Sequence, residues 1–246
     1  MKFDMIGDIH GCYDELLLLI RKLGYSMDTG IPIHTEGRRL AFVGDAMDRG
    51  PHSLHTLNLL FRMQDGGILI YSPGNHCNKL YRFVKGHKVQ QTHGLETTVA
   101  EIHALPKEEQ RRFLDRYRHF YEALPLYHIL DDGNLVLAHA GIQENMIGAP
   151  TSEKTRVFVL YGDISGAQHP DGRPIRRDWA KHYTGKACII YGHTPVREAR
   201  FVNNTVNIDT GCVFGGTLTA LRYPEMSVVS VPSNQPFIPE KFTHFE

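Results

Sequence analysis

Gly7-Asp8-Ile9-His10-Gly11, Gly44-Asp45-Ala46-Met47-Asp48-Arg49-Gly50, Gly74-Asn75-His76, His139-Ala140-Gly141 and Gly192-His193-Thr194 decide how this chain is read. Each follows a short apolar run: residues 2–6, 40–43, 68–71, 135–138 and 187–191, with Ser72-Pro73 between the third run and its motif. Apolar runs of that length, closed by turn residues, predict buried strands. The motifs therefore place a polar side chain at the carboxyl end of each strand, the edge where open α/β sheets build their sites. Glycine at these turns lets the chain bend sharply and leaves its polar neighbour exposed.

Working outward, helical patterns lie between the early strands. Asp14 is expected to cap a helix carrying Leu16, Leu19, Ile20 and Leu23, which Gly24 ends. Ser53 begins a second, with Leu54, Leu57, Leu60 and Phe61 on one face and Gly66-Gly67 at its end. Pro106 opens a third, whose stripe of Phe113, Tyr117, Phe120, Tyr121 and Leu124 faces a core rather than a nucleobase. Three later runs, 205–208, 217–222 and 227–231, lie close together and read as meander strands. Helices alternating with strands early, and strands clustering late, predict an α/β chain with two mixed β-sheets packed together and flanked by helices. Residues 144–156 and 163–178, rich in Pro, Gly, Asp and Arg, read as long surface loops. No second core follows them, so one domain over 1–246 is expected.

Composition narrows the class. The 246 residues are 41% hydrophobic and 22% charged, which excludes a disordered, collagen-like or coiled-coil chain. Lys plus Arg (27) equals Asp plus Glu (27), so no basic field argues for nucleic acid or an anionic membrane. Cys12, Cys77, Cys188 and Cys212 form no CxxC pair, and a reduced, cytoplasmic setting is expected. Asp4 and Asp8 interrupt any signal-peptide core, and the longest aliphatic run, 16–20, is far short of the ~20 residues that span a bilayer.

The motif residues carry the chemistry of a metal site. Asp8, His10, Asp45, Asn75, His139 and His193 make a mixed oxygen and imidazole shell, suited to transition metals. Asp8 and His10, two apart on an extended segment, would point the same way, and the Asp45 carboxylate could bridge two ions. Six ligands exceed what one open site needs and match two ions ~3.5–4 Å apart, as in phosphatases and nucleases. Arg49 offers a planar fork for phosphate oxygens. His76 could protonate a leaving oxygen, and Asp48 could hold its tautomer. Together they describe metal-assisted hydrolysis of a phosphate ester or anhydride.

The ordered set GDIHG, GDAMDRG, GNH, HAG and GHT resembles the metallophosphoesterases of the phosphoprotein phosphatase family, with their calcineurin-like fold. Cys77 stands where most members carry an acid next to the GNH motif. A narrower resemblance, in residues 74–82 (GNHCNKLYR), 92–98 (THGLETT), 192–196 (GHTPV) and 207–216 (NIDTGCVFGG), is to bacterial asymmetrical diadenosine tetraphosphate hydrolases; polynucleotide kinase-phosphatases share several of these stretches. The resemblance implies that Asp8, His10 and Asp45 hold one ion and that Asp45, Asn75, His139 and His193 hold the other. It implies attack by a hydroxide between the ions, with Asp48 and His76 assisting the leaving group and Arg49 gripping the phosphate. It adds Asp209 as a functional acid. It implies two divalent ions, Ni or Mn first and Fe or Zn next, and a small-molecule nucleotide substrate split into ATP and AMP. The same metal site would also suit a Ser/Thr/Tyr protein phosphatase, a polynucleotide 3′-phosphatase or a symmetrical tetraphosphatase.

Most remaining histidines read as surface or core residues, His93 being the one inside a matching stretch. Cys12 and Cys77 read as small buried thiols, Trp179 as packing, and Arg173, Arg176 and Arg177 as a solvated loop cluster.

Overall fold

The computed structural model describes residues 1–168 and 174–245. In chain order its elements begin with β1 (Phe3–Ile6), α1 (Tyr13–Lys22), β2 (Tyr25–Ser26), β3 (Ile33–His34) and β4 (Arg39–Phe42). Four helices follow, α2 (Ser53–Asp65), α3 (Asn75–Val84), α4 (Leu95–Ala104) and α5 (Lys107–Glu122). Then come β5 (His128–Leu130), β6 (Leu135–Leu137), α6 (Glu153–Tyr161), β7 (Ile164–Gln168) and β8 (Pro174–Arg176). The chain ends with β9 (Cys188–Tyr191), β10 (Arg200–Val202), β11 (Thr205–Asn207), β12 (Thr217–Tyr223) and β13 (Ser227–Pro232).

One sheet runs β13-β12-β1-β4 and the other β10-β11-β9-β6-β5. Both are mixed: β1 is parallel to β4 and antiparallel to β12, while β9 is parallel to β6 and β11. Alternation along the strands explains how they stack. Phe3, Met5, Ala41 and Val43 of the first sheet meet Leu135, Leu137, Ile190 and Val206 of the second in one buried core. Their neighbours Ile6, Leu40 and Phe42 turn the other way, under Leu16, Leu19, Leu57, Leu60 and Phe120 of the helices. The outer face of the second sheet, Val136, Ile189 and Tyr191, is covered by Phe158 and Val159 of α6 and by Trp179 and Tyr183. The expected pair of mixed sheets between helices is therefore present, and Phe113, Tyr117 and Phe120 are core-facing.

One exception to the apolar rule lies on β1. Asp4 is fully buried, and its carboxylate accepts hydrogen bonds from Arg38 Nη2 at 2.8 Å, Arg222 Nε at 3.0 Å and Tyr25 Oη at 3.0 Å. It ties the sheet to the loop before β4.

Several local expectations change. Residues 68–71 do not form a strand: Tyr71 makes a single parallel bridge to Phe42. His128 Nε2 lies 3.2 Å from both the amide and the carbonyl of Tyr71 and, by its tautomer, pairs with one of the backbone groups that a further strand would have taken up. Asn75, expected in a turn, is the first residue of α3. Asp14 does not cap α1; Cys12 occupies that place, and Asp14 and Glu15 sit in the first turn, where the helix dipole favours acids. Residues 144–156 and 163–178 are not plain loops. Ser152 caps α6 by accepting the Thr155 N–H at 3.1 Å, and β7 pairs with β8 as a hairpin. Arg173 and His169 lie outside the described residues.

Candidate metal centre

The motif loops are stitched to one another by their main chains. The amides of Ile9 and His10 both donate to the Asp45 carbonyl, Gly11 donates to Ala46, and Gly50 donates back to His10. On the second sheet, Gly192 donates to the His139 carbonyl at 2.7 Å. The sheets thus bring five loops, far apart in sequence, to a common edge. Asp8 and His10 reach the same side through a turn rather than an extended segment, with His10 at φ 47°. Asp45, Asp48, Arg49 and His193 also have positive φ. Left-handed backbone at non-glycine residues costs energy and concentrates where a side chain must be aimed.

Asp45 occupies the middle. Its Oδ1 accepts the backbone N–H of His76 at 3.0 Å. Its Oδ2 lies 3.3 Å from His139 Nε2 and 4.0 Å from His10 Nε2, between the two imidazoles. Gly74 permits this approach, because a Cβ there would stand 2.0 Å from Asp45 Oδ1.

The ring nitrogens are sorted by their partners. His10 Nδ1 faces the Met47 carbonyl at 2.9 Å and His139 Nδ1 faces that of Val43 at 3.1 Å. Each Nδ1 therefore carries the proton, and each Nε2 presents a lone pair. Around His139 Nε2 stand Asn75 Oδ1 at 3.1 Å, His193 Nδ1 at 3.0 Å and Asp45 Oδ2. At His10 Nε2 the neighbour is a cation already, the Arg49 guanidinium.

Asp8 receives the His193 backbone N–H on Oδ2 at 3.1 Å. Its other oxygen, and His193 Nε2, are buried with no hydrogen-bond partner. Buried polar atoms are seldom left unpaired, and a carboxylate oxygen and an imidazole nitrogen are donor types a cation would take up. Burial drives the titration the same way. It raises the Asp8 carboxyl well above its ordinary range, reinforced by Asp209 and Asp45, and it lowers the imidazoles of His10, His139 and His193. Neutral imidazoles with free lone pairs are the form that binds metal. Among the described residues, three groups of candidate ligand atoms lie within 4.8 Å of one another; Cys12, Glu15 and Cys212 form one away from this centre, and the two here are His10, Asp45 and His76, and Asp45, His139 and His193. Asp45 is common to both.

His76 stands apart from the other imidazoles in its partner. Its Nδ1 lies 2.7 Å from Asp48 Oδ2, leaving Nε2 for another task. Asp48 is fully buried; Thr98 donates to its Oδ1, and its own amide donates to Ser53 and Thr98 hydroxyls at 3.1 Å. Sequence reasoning did not find Ser53 or Thr98 as supports of Asp48. Nor did it find Glu101, which accepts the Ser53 and Leu54 amides at the start of α2 at 2.8 and 3.0 Å. The 92–98 stretch was the only signal for Thr98.

Asp209 also belongs here. It is buried, accepts the Gly211 N–H at 3.0 Å and faces Asp8 across Gly192. Burial pushes its carboxyl up to about 7. Cys77 takes the Gly74 N–H at 3.3 Å, touches the Tyr71 hydroxyl at 3.0 Å and lies 3.9 Å from Asp45 Oδ1, so it borders the centre without facing its middle. Trp179 packs against Phe158, Tyr183 and Tyr191. It also borders a cavity of about 270 Å³ beside His193, which Arg176 and Arg177 line as well.

A family profile for calcineurin-like phosphoesterases matches residues 1–197. The asymmetrical bis(5′-nucleosyl)-tetraphosphatase PrpE of Geobacillus thermodenitrificans (strain NG80-2) is 60% identical over 245 residues, covering all of both chains. Its counterpart in Geobacillus sp. (strain WCH70) is 57% identical over 246 residues, again covering all of both. Among solved structures, a candidate diadenosine tetraphosphatase superposes with a TM-score of 0.67 at 21% identity, covering 94% of this chain and 93% of its own. A protein serine/threonine phosphatase from Saccharomyces cerevisiae does so at 0.58 and 15%, covering 98% and 82%. At such identities the structures speak for the fold alone.

Proposed function

The chain belongs to the calcineurin-like phosphoesterase family, and from that membership we propose that it splits diadenosine tetraphosphate asymmetrically, into ATP and AMP. The observation that carries the substrate is identity of 57–60% over the whole chain to asymmetrical tetraphosphatases. The family uses a pair of divalent metal ions. Asp8, His10 and Asp45 would hold one, and Asp45, Asn75, His139 and His193 the other. The orphaned Asp8 oxygen, the orphaned His193 nitrogen and the acceptors around His139 support this. Bound there, the ions supply Lewis-acid charge to phosphate oxygens and make water nucleophilic at neutral pH. Nickel or manganese, with iron and zinc as alternatives, suit the nitrogen and oxygen donors.

The chain's own residues do the rest. Arg49 turns its guanidinium fork from His10 to the phosphate under attack. His76, held through Nδ1 by Asp48, presents Nε2 to protonate the leaving oxygen. Thr98 and Ser53 keep Asp48 in place, and Asp209 stands behind Asp8 as a partly ionised acid near neutral pH. Residues 1–246 would act as one metallophosphoesterase domain in the cytoplasm, where the four free thiols stay reduced. No helix among the described residues is long and apolar enough to cross a membrane.

Product analysis tests the proposal. Incubated with diadenosine tetraphosphate and a divalent metal, the protein should yield ATP plus AMP. Two ADP would mean symmetrical cleavage. Faster turnover of phosphopeptides or polynucleotide 3′-phosphates than of the dinucleotide would replace the substrate, and no turnover with any of the four metals would reject it.

A further inference from the structure

Lys79 and His93 lie beside the centre and take no part in the mechanism above. Lys79 is on α3, one helical turn after Asn75 and so on the same face. Its ammonium donates to the Thr92 carbonyl at 2.7 Å, holding the 92–94 loop against α3. That loop is pressed on Arg49. The Gly94 carbonyl accepts the Arg49 N–H at 3.1 Å, and a Cβ at Gly94 would stand 2.7 Å from that nitrogen. His93, at the crest of the loop, has a left-handed backbone (φ 59°) and an exposed side chain. Lys79 lies within the electrostatic reach of Asp48, Glu96 and Arg49, and His93 within that of Lys79, Arg49 and His76.

The local acids are already engaged. Asp48 is bound by His76 and Thr98, and Glu96 accepts the Gly94 N–H at 3.0 Å. A lysine ammonium has three donors, and Thr92 uses one. Through the Thr92 and Gly94 contacts, the remaining two donors and His93 are held on the loop that packs against Arg49, within electrostatic reach of Asp48 and His76. Because His76 is placed to protonate the leaving oxygen, its side is the leaving-group side. If water attacks the phosphorus that becomes AMP, asymmetrical cleavage sends three phosphates there as ATP; a phosphate monoester sends none.

We propose that Lys79 and His93 extend Arg49 into a subsite for the polyphosphate leaving group, and that this subsite makes the enzyme prefer polyphosphates over monophosphate esters. The inference rests on the functional reading above, but its test does not need dinucleotide turnover. Inorganic tripolyphosphate and orthophosphate would compete against hydrolysis of p-nitrophenyl phosphate, at a fixed free concentration of divalent metal. Tripolyphosphate should inhibit the native enzyme at lower concentration than orthophosphate. Lys79→Met should shrink that ratio by about tenfold, as expected for one lost charge-assisted contact. Lys79→Arg should keep most of it, and His93→Gln should reduce it less than Lys79→Met. A lysine needed only to hold the loop would change both inhibition constants together and leave the ratio alone.

An unchanged ratio in Lys79→Met overturns the subsite, whatever the natural substrate. Failure of the native enzyme to split diadenosine tetraphosphate, with the ratio behaving as expected, would overturn the substrate instead. Should Lys79→Met fold poorly, Lys79→Gln carries the same measurement, with melting temperature and metal content recorded for each variant.

Discussion

On the proposed reading, His76 and Asp45 divide the chemistry between them. His76 is tied through one nitrogen to a buried carboxylate and leaves the other for proton transfer. His76→Ala should lower kcat by ~10²–10⁴ while metal content, read by elemental analysis, stays near native. Loss of the metals together with the rate would make His76 a ligand rather than an acid. Asp45 faces His10 and His139 with the same oxygen. Asp45→Ala should strip both ions, whereas Asn75→Ala should retain one; equal stoichiometry in the two variants would contradict a bridging role. The candidate residues were legible in the sequence because each lies within two positions of a glycine in a short, recognisable turn. Ser53, Thr98 and Glu101 were not. Thr98 and Glu101 act on groups some 45–50 positions away, and Ser53, though five residues from Asp48, reads only as a helix start.

At the scale of elements, β1 carries both an apolar face and one buried charge. Asp4 is enclosed by Arg38, Arg222 and Tyr25. Removing one member of such a buried set leaves the others uncompensated, so Asp4→Ala should cost about 3–5 kcal/mol in denaturant unfolding. The surviving folded fraction should keep its specific activity; a loss below ~1 kcal/mol would show that water reaches the arginines. The elements that could be read were those with a clear apolar run or stripe, β1, β4, β6, β9, β11, β12, β13, α1, α2 and α5. α3 was hidden because its first turn is the GNH motif, which reads as punctuation. Tyr71 shows the reverse: an apolar run that looks like a strand but finds an imidazole where a neighbour strand would be.

Across the whole molecule, His128 links the second sheet to the segment that enters the centre. Burial lowers its pKa below the ordinary value of about 6.5. Above that pH both folded and unfolded chains hold it neutral, so it contributes no pH dependence. As pH falls through 6.5, the unfolded chain takes up a proton that the folded chain refuses, and stability declines until the folded pKa is reached. The melting temperature should therefore fall below pH 6.5, and the fall should be shallower in His128→Gln; parallel curves would mean that His128 is solvated.

By itself the sequence singled out the candidate polar residues and the turns that carry them, and determined the two-sheet α/β class, because strands, glycine turns and helix stripes are local patterns. Only the tertiary structure decided that β1 and β4 of one sheet and β6 and β9 of the other end at a common edge. It also brought Asp209 behind Asp8 and set Thr98 on Asp48 and Gly94 on Arg49. Those contacts join residues remote in the chain, and the packing of the two sheets determines which of them meet.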